Sequence, residues 1–189
     1  MKPLKIAVGL LFAVLPDIGS GLLAVHLVGK AIARPLDFSY YLGGVCFAFL
    51  PDIDLVWQWL RERRINDLHK TLLHYPLVML PLVNLVAGHW SGFWSLAGPL
   101  AILFHYIHDS LGDSWGLAWF WPVSRNRIKF FTRHEGRFKL MVELTQDEIR
   151  GLPPRPASVY LAEYWLIPSV ELLLSTAWFV AAVVVILHY

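Results

Sequence analysis

Apolar runs alternate along this chain with Pro-Asp pairs and with clusters of Arg and Lys. Ile6–Leu15 is apolar and stops at Pro16-Asp17. It falls short of the about 20 residues that span a bilayer. Lys2 and Lys5 precede it as in a signal peptide, yet no small-x-small cleavage site follows, so a membrane-inserted first helix is expected. Residues 20–34 read as a second helix with His26 in its middle, and Phe38–Leu50 as a third. The third ends in Pro51-Asp52-Ile53-Asp54, where the aspartates suit the N-cap of a helix over 55–64. Leu15-Pro16-Asp17-Ile18-Gly19 and Leu50-Pro51-Asp52-Ile53-Asp54 are near copies, too short to establish a repeat. Segments 75–87 and 93–108 flank a short turn and are predicted to be antiparallel neighbours. Thr145-x-x-Glu148 has the form of a capping box opening a short surface helix. Ile167–Leu187 is the clearest transmembrane candidate, with Tyr164, Trp165, His188 and Tyr189 as interface anchors.

Composition agrees with a membrane setting. The chain has 57% hydrophobic and 16% charged residues, against about 25% charged in soluble domains. Nine Trp and seven Tyr suit the headgroup layers. We read one integral membrane helical domain over residues 1–189, all-α, with a metal-site region at 50–122, a basic segment at 123–158 and a transmembrane helix at 166–188. A net charge of +2 gives nucleic-acid binding no support. The single cysteine, Cys46, excludes an internal disulfide and a thiolate zinc cluster, and is expected as a small core residue.

The candidate chemistry gathers where an apolar run ends. His105 and Asp109 stand four residues apart, on one helix face, and His108 borders it. His69 and His74 precede the neighbouring segment. Five residues apart, they would differ by about 140° on a continuous helix, so they are placed in the connection and first turn. The basic clusters 61–70 and 125–139 lie at the open ends of the predicted hairpin, and the positive-inside rule puts both in the cytoplasm. His69, His74, His105, His108 and Asp109 then share one membrane depth, and Asp52 and Asp54 reach it from the end of the third helix. Ionisable groups at membrane depth are functional candidates. Imidazoles and carboxylates without thiolates suit Zn²⁺, with Mn²⁺ or Fe²⁺ as alternatives, as one ion or two. Such a site among basic clusters that attract anionic lipid fits metal-dependent phosphoester hydrolysis at the membrane surface. Taken singly, each His is better explained as a hydrogen-bonded polar residue than as a ligand, and His26, His89, His134 and His188 are all open to that reading.

These residues resemble a family, the YdjM-like membrane-bound metal-dependent hydrolases. The resemblance lies in Leu50-Pro51-Asp52-Ile53-Asp54, in His69-Lys70-Thr71-Leu72-Leu73-His74, and in His105-Tyr106-Ile107-His108-Asp109 followed by Gly116 and Trp121-Pro122. Leu73 stands where the family usually has Thr before the second His, with Thr71 as a substitute; His108 and Asp113 are not required by the motifs. The resemblance implies an all-α fold related to the helical zinc phospholipase C and P1 nuclease fold. It implies Asp52, His69, His74, His105 and Asp109 as metal ligands, with His26 as a further one. Asp54 and His108 are the candidate catalytic residues, as ligand, as general base or in support of the ligands. The expected substrate is a phospholipid or other lipid-linked phosphate at the inner membrane. The competing readings are a non-catalytic metal-binding membrane protein of envelope or stress response, a transporter, and an HD-type phosphohydrolase built on His108-Asp109.

Overall fold

The computed structural model describes residues 2–62, 72–112, 115–151 and 170–188. The first helix, α1, runs unbroken over Lys2–Ala31 and contains Pro16. The two separate helices expected here are one. Proline removes an i→i−4 hydrogen bond and costs about 3 kcal/mol in a helix interior. Here packing of the flanking turns against other helices offsets that cost: Pro16 is fully buried and Asp17 is 2% exposed. Ala7–Ala31, of mean hydropathy 2.0, is the one described helix long and apolar enough to cross a membrane.

Helix α2 (Phe38–Ala48) is opened by Asp37, whose carboxylate accepts from the Ser39 N–H at 2.8 Å. It packs on α1 with the backbones in contact. A Cβ on Gly21 would lie 2.5 Å from the Gly44 carbonyl, so only glycine allows this approach. Cys46 is exposed on α2 rather than in the core. Helix α3 (Ile53–Glu62) follows the turn at Pro51-Asp52. A single 3₁₀ turn, Leu72–His74, leads into α4 (Pro76–Trp90), which begins with Pro at its first position. Ser91 ends α4 and caps α5 (Gly92–Asp109), its hydroxyl accepting from the Phe93 N–H at 3.2 Å. The antiparallel α4–α5 pair is therefore present as the sequence indicates. Met79 and Val83 of α4 pack on Ile102 and Tyr106 of α5, with Leu117 beneath. Val25 and Val28 of α1 meet Phe93 and Ala97 of α5.

The all-α expectation needs correction. Arg127–His134 (β1) and Arg137–Leu144 (β2) form an antiparallel hairpin inside the segment read only as basic. Charged and apolar residues alternate in the first half of each strand, and Glu135 and Gly136 turn with φ of 51° and 75°, the two positive values of a tight hairpin turn. The hairpin is tied to the exit of α5: the Phe130 N–H donates to the Ser110 carbonyl at 2.6 Å and the Ile128 N–H to the Leu117 carbonyl at 2.8 Å. The capping box is present at α6 (Gln146–Arg150), where the Thr145 N–H donates to Glu148 at 2.8 Å. Helix α7 (Val170–His188) crosses α1 at Gly19, where a Cβ would be 3.0 Å from the Phe179 Cα. Its apolar stretch, Leu172–His188, is shorter than that of α1.

Candidate metal centre

Helix ends converge on one point beside the middle of α1. The turn after α2 brings Asp52, the first turn of α3 brings Asp54, and the 3₁₀ turn brings His74. The last turn of α5 brings His105 and Asp109, and α1 brings Asp17. The 3₁₀ turn is pinned to α5 by the Tyr106 hydroxyl, which donates to the Leu73 carbonyl at 2.5 Å.

Each central imidazole is held from behind by a carboxylate. His105 Nδ1 lies 2.6 Å from Asp17 Oδ1, both side chains almost fully buried. His74 Nδ1 lies 3.2 Å from Asp54 Oδ2. Hydrogen bonding at Nδ1 fixes ring orientation and turns Nε2 to the far side, the arrangement found behind metal-ligating histidines. The two Nε2 atoms face each other at 3.5 Å. Asp52 Oδ1 is 3.5 Å from His74 Nε2 and 3.8 Å from His105 Nε2. Asp109 Oδ2 is 3.6 and 3.9 Å from the same two nitrogens. These separations are at or beyond the limit of a hydrogen bond. The three around His74 Nε2, at 3.5–3.6 Å, match the about 3.3–3.6 Å between donor atoms that share a tetrahedral ion at 2.0–2.2 Å, and the two from His105 Nε2 to the carboxylates, at 3.8 and 3.9 Å, are slightly longer. Asp52, His74 and His105 thus form a group able to hold a metal ion, with Asp109 beside it.

The charges are mutually dependent. Burial disfavours the His74 imidazolium, but hydrogen bonds to Asp52 and Asp54 and the charge of Asp109 outweigh it and hold its pKa above the ordinary value. Burial likewise opposes the Asp52 carboxylate, and His105 and His74 hold it below the usual range. The imidazoles are 0–1% exposed, whereas the side chains of Asp52 and Asp109 are 24% and 17% exposed. The group therefore opens on its carboxylate side.

The remaining expected site residues fall elsewhere. His26 is nine residues beyond Asp17 on α1, about 13 Å along the axis, with Nδ1 3.3 Å from the Tyr41 hydroxyl; it is not brought into this group. His108 Nε2 is 3.0 Å from Ser175 Oγ of α7, and its Nδ1 lies 3.7 Å from Asp109 Oδ1. Asp54 stands behind His74. His69 and Asp113 lie outside the described residues. Asp17 was not expected; its resemblance to Asp52 in the two near-copied pentapeptides was the available signal.

The match to known families decides what kind of chain this is: the YdjM inner membrane protein family covers residues 17–189. The chain belongs to that family. All six residues of the centre, Asp17 included, lie within the YdjM match. No curated protein and no solved structure matches the chain.

Proposed function

We propose that this YdjM family member is a membrane-bound, metal-dependent hydrolase that cleaves a phosphoester of a lipid or lipid-linked phosphate. The observation that carries the reading is the pair of carboxylate-backed imidazoles whose Nε2 atoms face Asp52 and Asp109 across one opening. His74, His105, Asp52 and Asp109 would hold the ion, with Zn²⁺ the best match and Mn²⁺ or Fe²⁺ alternatives. Asp17 and Asp54 orient the imidazoles, and His108 steadies Asp109 from the α7 side. A bound divalent cation supplies Lewis acidity that activates water and offsets phosphoryl charge. The partly exposed carboxylate side gives substrate its approach.

The surroundings support a lipid substrate. Ile53, Val56, Trp57 and Leu60 form an exposed apolar stripe on α3, at 55–67% exposure, next to Asp52 and Asp54. A short helix with such a stripe suits the plane of the membrane interface. The basic residues at 61–70 and 125–139 favour the cytoplasmic, anionic leaflet. The near-complete burial of both imidazoles favours a second reading, a metal held for stability without turnover.

The test uses detergent-purified protein, stripped with chelator and reloaded with Zn²⁺ or Mn²⁺. It is assayed on a chromogenic phosphomonoester, a phosphodiester and phospholipid in mixed micelles. Turnover that returns with metal and is absent in Asp52→Ala supports hydrolysis. Bound metal without turnover leaves the stability reading, and full turnover after chelation contradicts both.

A further inference from the structure

A second site adjoins the metal centre. Tyr75, the residue after His74, stacks on Trp121 with centroids 4.4 Å apart and rings 10° from parallel. The pair forms one wall of a half-open cavity of about 290 Å³, whose other lining residues are Ala118, Arg125, Arg127 and Gln146. No carboxylate among the described residues lines it. Gln146, the first residue of α6, donates from Nε2 to the Arg125 carbonyl and so holds the Arg125 loop against the hairpin. Arg127 is fixed as the first residue of β1 by pairing with Leu144. Two arginines and a glutamine thus line one small aromatic-walled cavity on a braced backbone.

We propose that this cavity is an anion site that binds a phosphate group, either free or as the headgroup phosphate of a lipid. Guanidinium forks match phosphate oxygens in bidentate geometry. The volume lies at the lower end of small-ligand pockets, about 300–1,000 Å³, so it admits a phosphate with a short polar substituent and not an acyl chain. Its position one residue from His74 puts a phosphate-binding pocket at the same end of the molecule as the metal centre. The proposal does not rest on the hydrolase reading, and its test is run with metal chelated so that failure of one leaves the other standing.

The full chain is placed in phosphatidylcholine nanodiscs in excess EDTA. In one arm inorganic phosphate is titrated by calorimetry. In the other, in buffer without inorganic phosphate, the nanodiscs carry phosphatidic acid, and thermal stability is compared with phosphatidylcholine alone. Two variants accompany the wild type. Arg125→Gln removes one fork. Gln146→Glu adds a carboxylate to the lining at the first turn of a helix, a position that favours acidic residues. Binding in either arm, weakened about tenfold or more by both variants, supports the site. Binding in the phosphatidic acid arm alone assigns the source to lipid headgroups, and in the phosphate arm alone to soluble phosphate. No binding in either arm, or binding that neither variant weakens, overturns the proposal.

Discussion

Leu15-Pro16-Asp17-Ile18-Gly19 and Leu50-Pro51-Asp52-Ile53-Asp54 differ at one residue and end in opposite structures. The first lies inside a continuous helix, and the second makes the break between α2 and α3. Yet both aspartates reach His105, from opposite sides. Asp17 grips Nδ1 at 2.6 Å and is buried; Asp52 faces Nε2 at 3.8 Å and is partly exposed. The one differing residue also has two uses. Gly19 lets the backbone of α7 pass, whereas Asp54 holds His74. Local sequence did not choose between helix and break here. Packing against α2, α5 and α7 carries the helix through Pro16, and the same packing makes one carboxylate an orienting group and the other a candidate ligand.

The comparison predicts unequal losses. Asp52→Ala removes a carboxylate from the candidate metal group, and stoichiometric metal should disappear from the purified protein by elemental analysis. Asp17→Asn keeps shape but weakens the grip on His105, and metal affinity should fall about 10–100-fold in a chelator competition. Equal effects of the two variants would erase the distinction between them. A pH titration of metal affinity separates the groups further. His74 has a raised pKa and must lose its proton to bind metal, so affinity should fall as pH drops through that value, about tenfold per unit for each imidazole involved. Asp52, held low, stays ionised over the same range and should add no slope there. A flat profile from neutral pH down would contradict this assignment. The smallest effect on the site should come from Gly19→Ala. Its Cβ would meet the Phe179 Cα at 3.0 Å, and overpacking of this kind costs about 1–3 kcal/mol. Thermal stability should fall while metal content is kept.

The convergence of the candidate group was largely legible in the sequence. The i, i+4 pair His105 and Asp109 shares a helix face by geometry alone, and the antiparallel α4–α5 pair brings His74 to the same end. Asp52 arrives because α2 ends at Ala48 and the chain turns at Pro51. Asp17 was not legible as a partner, since a proline before an aspartate reads as a helix end unless the tertiary neighbours are known. His26 looked equivalent to the other histidines in sequence, but its place on α1 sets it beside Tyr41. The hairpin was hidden by its charge. Lys129, Arg133, Arg137 and Lys139 suggested a solvated stretch, although the alternation of Arg127-Ile128-Lys129-Phe130 and of Phe138-Lys139-Leu140 carried the strand signal. The cavity beside Tyr75 had no sequence signature, because it depends on the hairpin docking against the exit of α5.

The account turns on His74 and His105 presenting Nε2 to a common ion. The most direct test is metal content per chain, by elemental mass spectrometry, of wild type, His74→Ala and His105→Ala after reloading with Zn²⁺ or Mn²⁺ and removal of excess. The account predicts close to stoichiometric metal in the wild type and its loss in both variants. Wild type that holds no metal after reloading, or variants that keep it, would contradict it.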